Sequence, residues 1–127
     1  MGIPRVLRQQ KANVINLGSK KITKYTSRDK ELEINHMIVS GRHPEYKDHF
    51  IYETACFLMI YIMKGRARVL CNEDIFEVKV GDVVEIPPKT KFAIECNNVE
   101  YLSLQHPAWN PDQSFIVDRA GNTIEDT

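Results

Sequence analysis

The sequence predicts an all-β fold, a sandwich or barrel of short antiparallel strands in a single domain. Three observations carry that prediction. Apolar and polar residues alternate over short runs, clusters of Gly, Pro, Asn and Asp separate those runs at regular spacing, and helical periodicity is almost absent. A chain of 127 residues is also the length of one domain with one core.

The first regular segments are residues 14–17 and 21–25, each short enough and β-branched enough to supply a strand. Residues 32–39 read as a longer strand, stopped by Ser40-Gly41. Residues 50–63 are rich in Tyr, Phe, Ile and Thr and end at Lys64-Gly65. The centre of that segment is apolar at consecutive positions, as expected of a strand covered on both faces. Residues 66–71 form a further strand, and Asn72-Glu73-Asp74 a turn. Residues 75–80 then alternate, with Phe76, Val78 and Val80 on one face and Glu77 and Lys79 on the other. After the Gly81-Asp82 turn, residues 83–86 make a strand that Pro87-Pro88 ends, because proline cannot continue a ladder. Phe92, Ile94 and Cys96 alternate with Lys91, Ala93 and Glu95, Asn97-Asn98 reads as a turn, and residues 99–105 form the last strand. The chain leaves the sheet at residues 106–111.

Composition narrows the functional classes. Apolar residues make up 43% and charged residues 27%, the balance of a globular protein rather than a disordered one. Seventeen basic side chains offset seventeen acidic ones, so the footprint of a nucleic-acid or anionic-membrane binder is missing. Basic residues do gather early, among them Arg5, Arg8, Lys20, Lys21 and Lys24, but Tyr25 is the one aromatic beside them for base stacking. The segment therefore reads as solvated. The start lacks the apolar stretch of a secretory signal, and Val6 stands where an N-myristoylation motif wants Ser or Thr. The longest apolar run, residues 55–63, falls far short of the ~20 residues a membrane helix needs. Cys56, Cys71 and Cys96 are odd in number and form no Cys-x-x-Cys pair. We expect a cytoplasmic protein with reduced thiols, no nucleic-acid partner and no membrane.

Two runs carry a resemblance. Met59-Ile60-Tyr61-Ile62-Met63-Lys64-Gly65 precedes the alternating strand, and Gly81-Asp82-Val83-Val84-Glu85-Ile86-Pro87-Pro88 follows it. This pattern resembles the cupin superfamily over roughly residues 32–109. The resemblance implies a double-stranded β-helix, or jelly roll, whose edges are closed or covered. It divides the chain into an N-terminal arm at 1–31, whose strands pack on the roll or on a second subunit, a core barrel at 32–109 and a tail at 110–127. It also implies a homodimer, since cupins commonly pair and sometimes exchange N-terminal strands.

Most cupins hold a divalent metal with three histidines and a glutamate. Aligned on Gly81, the third histidine position holds Phe92; aligned on Gly65, the glutamate position holds Leu58. The paired histidine positions fall on Ile51 and Glu53 or on Tyr52 and Thr54, depending on the spacer. A hydrocarbon side chain cannot replace an imidazole ligand, so the resemblance implies a cupin without the usual metal and with no cofactor. A displaced His43, His49 and Glu53 set is the metal alternative.

Cupins bind small molecules inside the roll. The resemblance then places Leu58, Ile60, Phe92 and Ile94 on the chamber wall, with Tyr52, Glu53, His43 and His49 at its mouth. Such a chamber suits a small organic ligand, carbohydrate-related by analogy with the family. The competing expectation is that Leu58 and Phe92 simply fill the barrel. An enzyme alternative is a sugar or sugar-nucleotide isomerase or epimerase working through an acid–base pair drawn from His43, His49, Tyr52 and Glu53. Trp109, in a Pro-Ala-Trp-Asn-Pro segment, reads as a lid on its own roll or as an anchor for a partner.

Overall fold

The computed structural model describes residues 2–126; Met1 and Thr127, the outermost residues of the arm and tail, lie outside them. Among the described residues the chain forms ten strands and two short 3-10 turns. The strands are β1 (Asn13–Asn16), β2 (Lys20–Thr26), β3 (Glu33–His43), β4 (Phe50–Glu53), β5 (Phe57–Cys71), β6 (Asp74–Lys79), β7 (Val83–Ile86), β8 (Lys91–His106), β9 (Ser114–Val117) and β10 (Thr123–Asp126). All the pairings are antiparallel.

The long strands β5 and β8 each serve two faces. The first half of β5 pairs with β7 and with the second half of β8, which in turn pairs with β3, and β2 and β1 follow outward. The second half of β5 pairs with β6 and with the first half of β8, beyond which lie β4, β9 and β10. Two sheets thus close over one interior, as the jelly roll requires. The core between them is built on Val39, Ile60, Ile62, Val69, Ile86 and Ile94.

Three of the expected turns are corners inside longer strands. Ser40-Gly41 is a bulge within β3, Lys64-Gly65 an irregularity within β5, and Asn97-Asn98 lies within β8 opposite them. Each carries residues that read as a turn because the chain does bend there, but hydrogen bonding resumes on the far side. At Gly65 the backbone has φ +82°, and an added Cβ would overlap the Asn98 carbonyl. The corner of β5 therefore packs directly on the corner of β8.

Three further expectations are corrected. Residues 50–63 are not one strand: Thr54, Ala55 and Cys56 separate β4 from β5. Of the face holding Phe76, Val78 and Val80, only Val78 is buried, since β6 is an edge strand paired with β5 alone. The segment after residue 109 is more than a tail, because β9 pairs with β4 along its whole length and forms part of the wall. The N-terminal strands pack on their own roll, through β2 on β3. Cys56 and Cys71 are buried and Cys96 partly so, all as free thiols. No helix among the described residues is long and apolar enough to cross a membrane.

Candidate ligand-binding chamber

The roll is not filled. Between the sheets lies a cavity of about 540 Å³. Its apolar wall includes Ile51 from β4, Leu58 and Ile60 from β5, Phe92 and Ile94 from β8 and Ile116 from β9. These side chains point inward because alternate residues of a strand share one face. A second, more open groove of about 730 Å³ runs past Arg42, Arg66, Arg68 and Lys79. Glu77, Asp82 and Glu95 line the same groove and offset most of that positive charge, and the less open cavity between the sheets, with its larger apolar wall, is the better-formed site.

The polar part of the chamber gathers at one end. Glu53 is 5% exposed; its Oε2 accepts a hydrogen bond from Ser114 Oγ at 2.8 Å, and its Oε1 has no partner. Burial pushes the Glu53 carboxyl up to about 7, against the pull of the Ser114 hydrogen bond and the Lys24 charge, while Glu33 adds to the rise. A carboxyl with its pKa there exchanges a proton at neutral pH, which is the property a general acid or base needs. Asn35, buried on β3, donates from Nδ2 to Gln105 Oε1 of β8, and its own Oδ1 is buried without a partner. Trp109 lines the chamber beside Glu33 and Lys24. Its backbone N–H donates to Glu33 Oε2 at 3.1 Å, and Lys24 Nζ sits 5.4 Å from its ring centroid while lying 3.4 Å from Glu33 Oε1.

His43, at the end of β3, marks the other end of the chamber. Lys20 Nζ lies 2.8 Å from His43 Nδ1, a distance at which the ammonium donates to a neutral imidazole protonated on Nε2. Burial, with the charges of Lys20 and Arg42, pushes the His43 pKa down to about 3. Burial also lowers the Lys20 pKa, partly offset by Glu45. Arg42 ties down the following loop, donating from Nη1 to the carbonyls of Pro44 at 2.9 Å and His49 at 2.7 Å. In that loop His49 meets Tyr46 edge to face, ring centroids 5.5 Å apart. We expect the His43 ring to remain neutral from pH 8 down to about pH 4, as read by ¹⁵N NMR of the imidazole. A free histidine takes up its proton near pH 6.5 and this one only near 3, so its contribution to stability falls as the pH drops through that interval. A ring that titrates near 6.5 would contradict the Lys20–His43 contact.

Six of the seven sequence-derived site residues line the chamber: His43, His49, Glu53, Leu58, Ile60 and Phe92. Tyr52 does not. It alternates with Ile51 and Glu53 on β4 and so faces the opposite side, packed on the small cluster of Phe50, Ala93 and Val117. The inward pair of β4 is therefore Ile51 and Glu53, not Tyr52 and Thr54. The positions a cupin metal would use do face the interior, but they hold Ile51, Leu58 and Phe92, with Glu53 as one oxygen donor. Among the described residues no group of three or more His, Cys, Asp or Glu is placed to hold a metal ion, so His43, His49 and Glu53 do not come together as a ligand set. The chamber residues that fit a divalent cation are too few. Sequence reasoning missed Asn35, Gln105 and Ser114, each an isolated polar residue in a strand with no motif around it.

No protein-family model matches the chain. An uncharacterized protein of Methanocaldococcus jannaschii is 33% identical over 79 residues, which span 60% of this chain and 57% of that protein. Among solved structures, the nucleoside dehydratase Pac13 superposes with a TM-score of 0.79 at 16% identity, covering 91% of this chain and 92% of that chain. A substituted Streptomyces Pac13 solved with uridine gives the same TM-score at 15% identity, over 92% of this chain and 93% of that chain. An RmlC-like cupin from Shewanella frigidimarina superposes with a TM-score of 0.67 at 14% identity, over 84% of this chain and 93% of that chain. These likenesses establish the fold as the cupin jelly roll.

Proposed function

We propose that this cupin-fold chain binds a small, hydroxyl-bearing organic ligand of carbohydrate or nucleoside type in its chamber, with no resident metal ion. One observation carries the reading: two buried oxygens, Glu53 Oε1 and Asn35 Oδ1, lack partners and belong to residues lining the same cavity. An unpaired buried polar group costs about 1–3 kcal/mol, and a ligand hydroxyl or amide would relieve that cost. A volume of about 540 Å³ is within the usual range of small-molecule sites. The likeness to Pac13, a nucleoside dehydratase, supports a nucleoside-sized ligand. The hydrocarbon at the usual ligand positions supports the absence of a metal. Elemental analysis of untagged protein, followed by calorimetry with pentoses, hexoses and nucleosides in EDTA, tests both parts. The reading expects substoichiometric metal and binding that EDTA does not affect. Near-stoichiometric Fe, Mn, Ni or Zn, lost on replacing His49 or Glu53, would overturn it.

A second reading is favoured by the Glu53 proton. A carboxyl titrating near neutrality, aimed at a bound sugar carbon, is suited to dehydration or isomerisation, including the isomerase or epimerase chemistry of sugar nucleotides. His43, held neutral by burial and by the charges of Lys20 and Arg42, is not its acidic partner at pH 7. Turnover of any of the panel ligands, abolished by Glu53→Gln, would promote this reading over simple binding.

The homodimer expected from the family resemblance is also our proposal. On the outer face of the β3–β8–β5–β7 sheet, Ile34, Leu104, Met59, Tyr61 and Val83 are all exposed and lie in cross-strand register. Apolar patches of this kind mark interaction surfaces. We take a second copy of this chain as the occupant, and a net charge of zero leaves two copies without net repulsion. Light scattering on eluting protein at micromolar concentration should give twice the chain mass, and Met59→Lys with Leu104→Lys should give the monomer. A wild-type monomer would refute it.

A further inference from the structure

Resting on the chamber as a ligand site, we propose that the Asn35–Gln105 amide pair is its specificity element and reads a ring cis-amide, the N–H and C=O edge of a uracil-type base. The Asn35 Nδ2–Gln105 Oε1 bond, at 2.5 Å, consumes one donor and one acceptor. It leaves Asn35 Oδ1, buried and unpartnered, as an acceptor, and it does not consume the Gln105 Nε2 donor. Exchanging O and N in both amides gives the same result, one free acceptor and one free donor. A ring cis-amide offers the complementary pair, N–H beside C=O. A sugar hydroxyl, which both donates and accepts, can also meet the pair, so the choice of a flat base over a sugar falls to the surroundings.

The surroundings of the pair fit a flat heterocycle. Asn35 shares a face of β3 with Glu33 and sits opposite Lys24 of β2. Glu33 and Lys24 are the groups that fix Trp109, through the indole residue's backbone N–H and across its ring. The amide pair thus shares the cavity with an indole whose neighbours Lys24 and Glu33 form an ion pair. Base–aromatic stacking contributes favourably without reading the edge of the base, so discrimination between edges falls to the amides. Glu53 and Ser114, joined at 2.8 Å, supply separate polar groups for the sugar.

The test is calorimetry with uridine, 3-methyluridine and ribose on the wild type and on the double variant Asn35→Leu/Gln105→Leu. The methyl group of 3-methyluridine blocks the ring N–H and leaves the sugar and the stacking face intact. The proposal expects uridine to bind the wild type at least tenfold more tightly than 3-methyluridine, since a site built around a hydrogen bond rejects the analogue lacking it. It expects the two ligands to bind the double variant within about twofold of each other. Replacing both amides together removes the unpaired groups and should leave the fold intact, which circular dichroism and thermal melting would verify. If the double variant fails to fold, the wild-type ratio alone decides. Equal binding of uridine and 3-methyluridine by the wild type would overturn the amide reading, as would binding of ribose as tight as uridine, while both results leave the chamber a ligand site. Failure of every panel sugar and nucleoside to bind would overturn both.

Discussion

Glu53→Gln should stabilise the folded protein at pH 8 relative to the wild type, by up to about 3 kcal/mol, and should have little effect near pH 4. The folded chain holds the Glu53 proton up to about pH 7, whereas the unfolded chain releases it near 4.5. Between those values only the folded state binds the proton, so the Glu53 contribution to stability declines as the pH rises and levels off above 7. A shift of this size corresponds to about 3 kcal/mol at 1.36 kcal/mol per pKa unit. The neutral amide avoids that penalty and can still accept from Ser114 Oγ. His43 drives stability the opposite way over the acid part of the range. The informative quantity is therefore the difference between variant and wild type, measured by urea unfolding at pH 4, 6 and 8. A difference independent of pH would show that Glu53 is not held protonated by the fold. The stabilised variant should also bind the chamber ligand differently, because a function-bearing carboxyl is retained at the expense of stability.

Gly65→Ala should cost about 2–4 kcal/mol, a large share of the stability of a domain this size. Two penalties act together. The residue has φ +82°, a conformation L side chains rarely adopt, and the new methyl would meet the Asn98 carbonyl and lie 3.3 Å from Val99 Cα. Neither neighbour is the free end of a side chain; both are backbone atoms at the bend of β8. Relief would require separating the corners of the two strands that join the sheets. Gly41→Ala is the control: its φ is also positive, at +93°, but a Cβ there meets nothing within 4 Å. It should lose only the conformational part. Thermal melts of the two variants would separate strain from overlap, and equal losses would mean that the close approach at Asn98 has no energetic weight.

The fold was legible because its signals are local. Proline after residue 86, the Gly81-Asp82 turn and the alternating β6 each mark an edge or turn of the roll in a few residues. The corners were not legible as corners. Gly41, Gly65 and Asn97-Asn98 look the same in sequence whether the strand ends or bends and continues, and only the pairing across β3, β5 and β8 decides. β9 was missed for a related reason. Its four residues carry no turn signature of their own and become a strand by pairing with β4.

The candidate site divides in the same way. Leu58, Phe92 and Glu53 could be reached by counting from the two glycine-containing runs. Asn35 could not, because β3 contradicts the usual rule about its faces. Leu32, Ile34 and Ile38 are 60%, 43% and 42% exposed, while Glu33 and Asn35 are 3% and 6% exposed. Period-two alternation fixes that two faces exist but not which is inward. Here the inward face is the one bearing polar groups, and the buried polar residue is the informative observation. Ser114 and Gln105 depended on the same knowledge.

If the chamber is a ligand site rather than an incidental void, its isoleucines report on this directly. Ile22, Ile51, Ile60, Ile94 and Ile116 line the chamber, whereas Ile34, Ile38 and Ile75 lie exposed outside it. In ¹³C-methyl NMR of isoleucine-labelled protein titrated with uridine in EDTA, the account predicts saturable shifts of the first set with the second set unchanged. Shifts confined to the outer set, or a spectrum unmoved at millimolar uridine and at millimolar pentose, would contradict it.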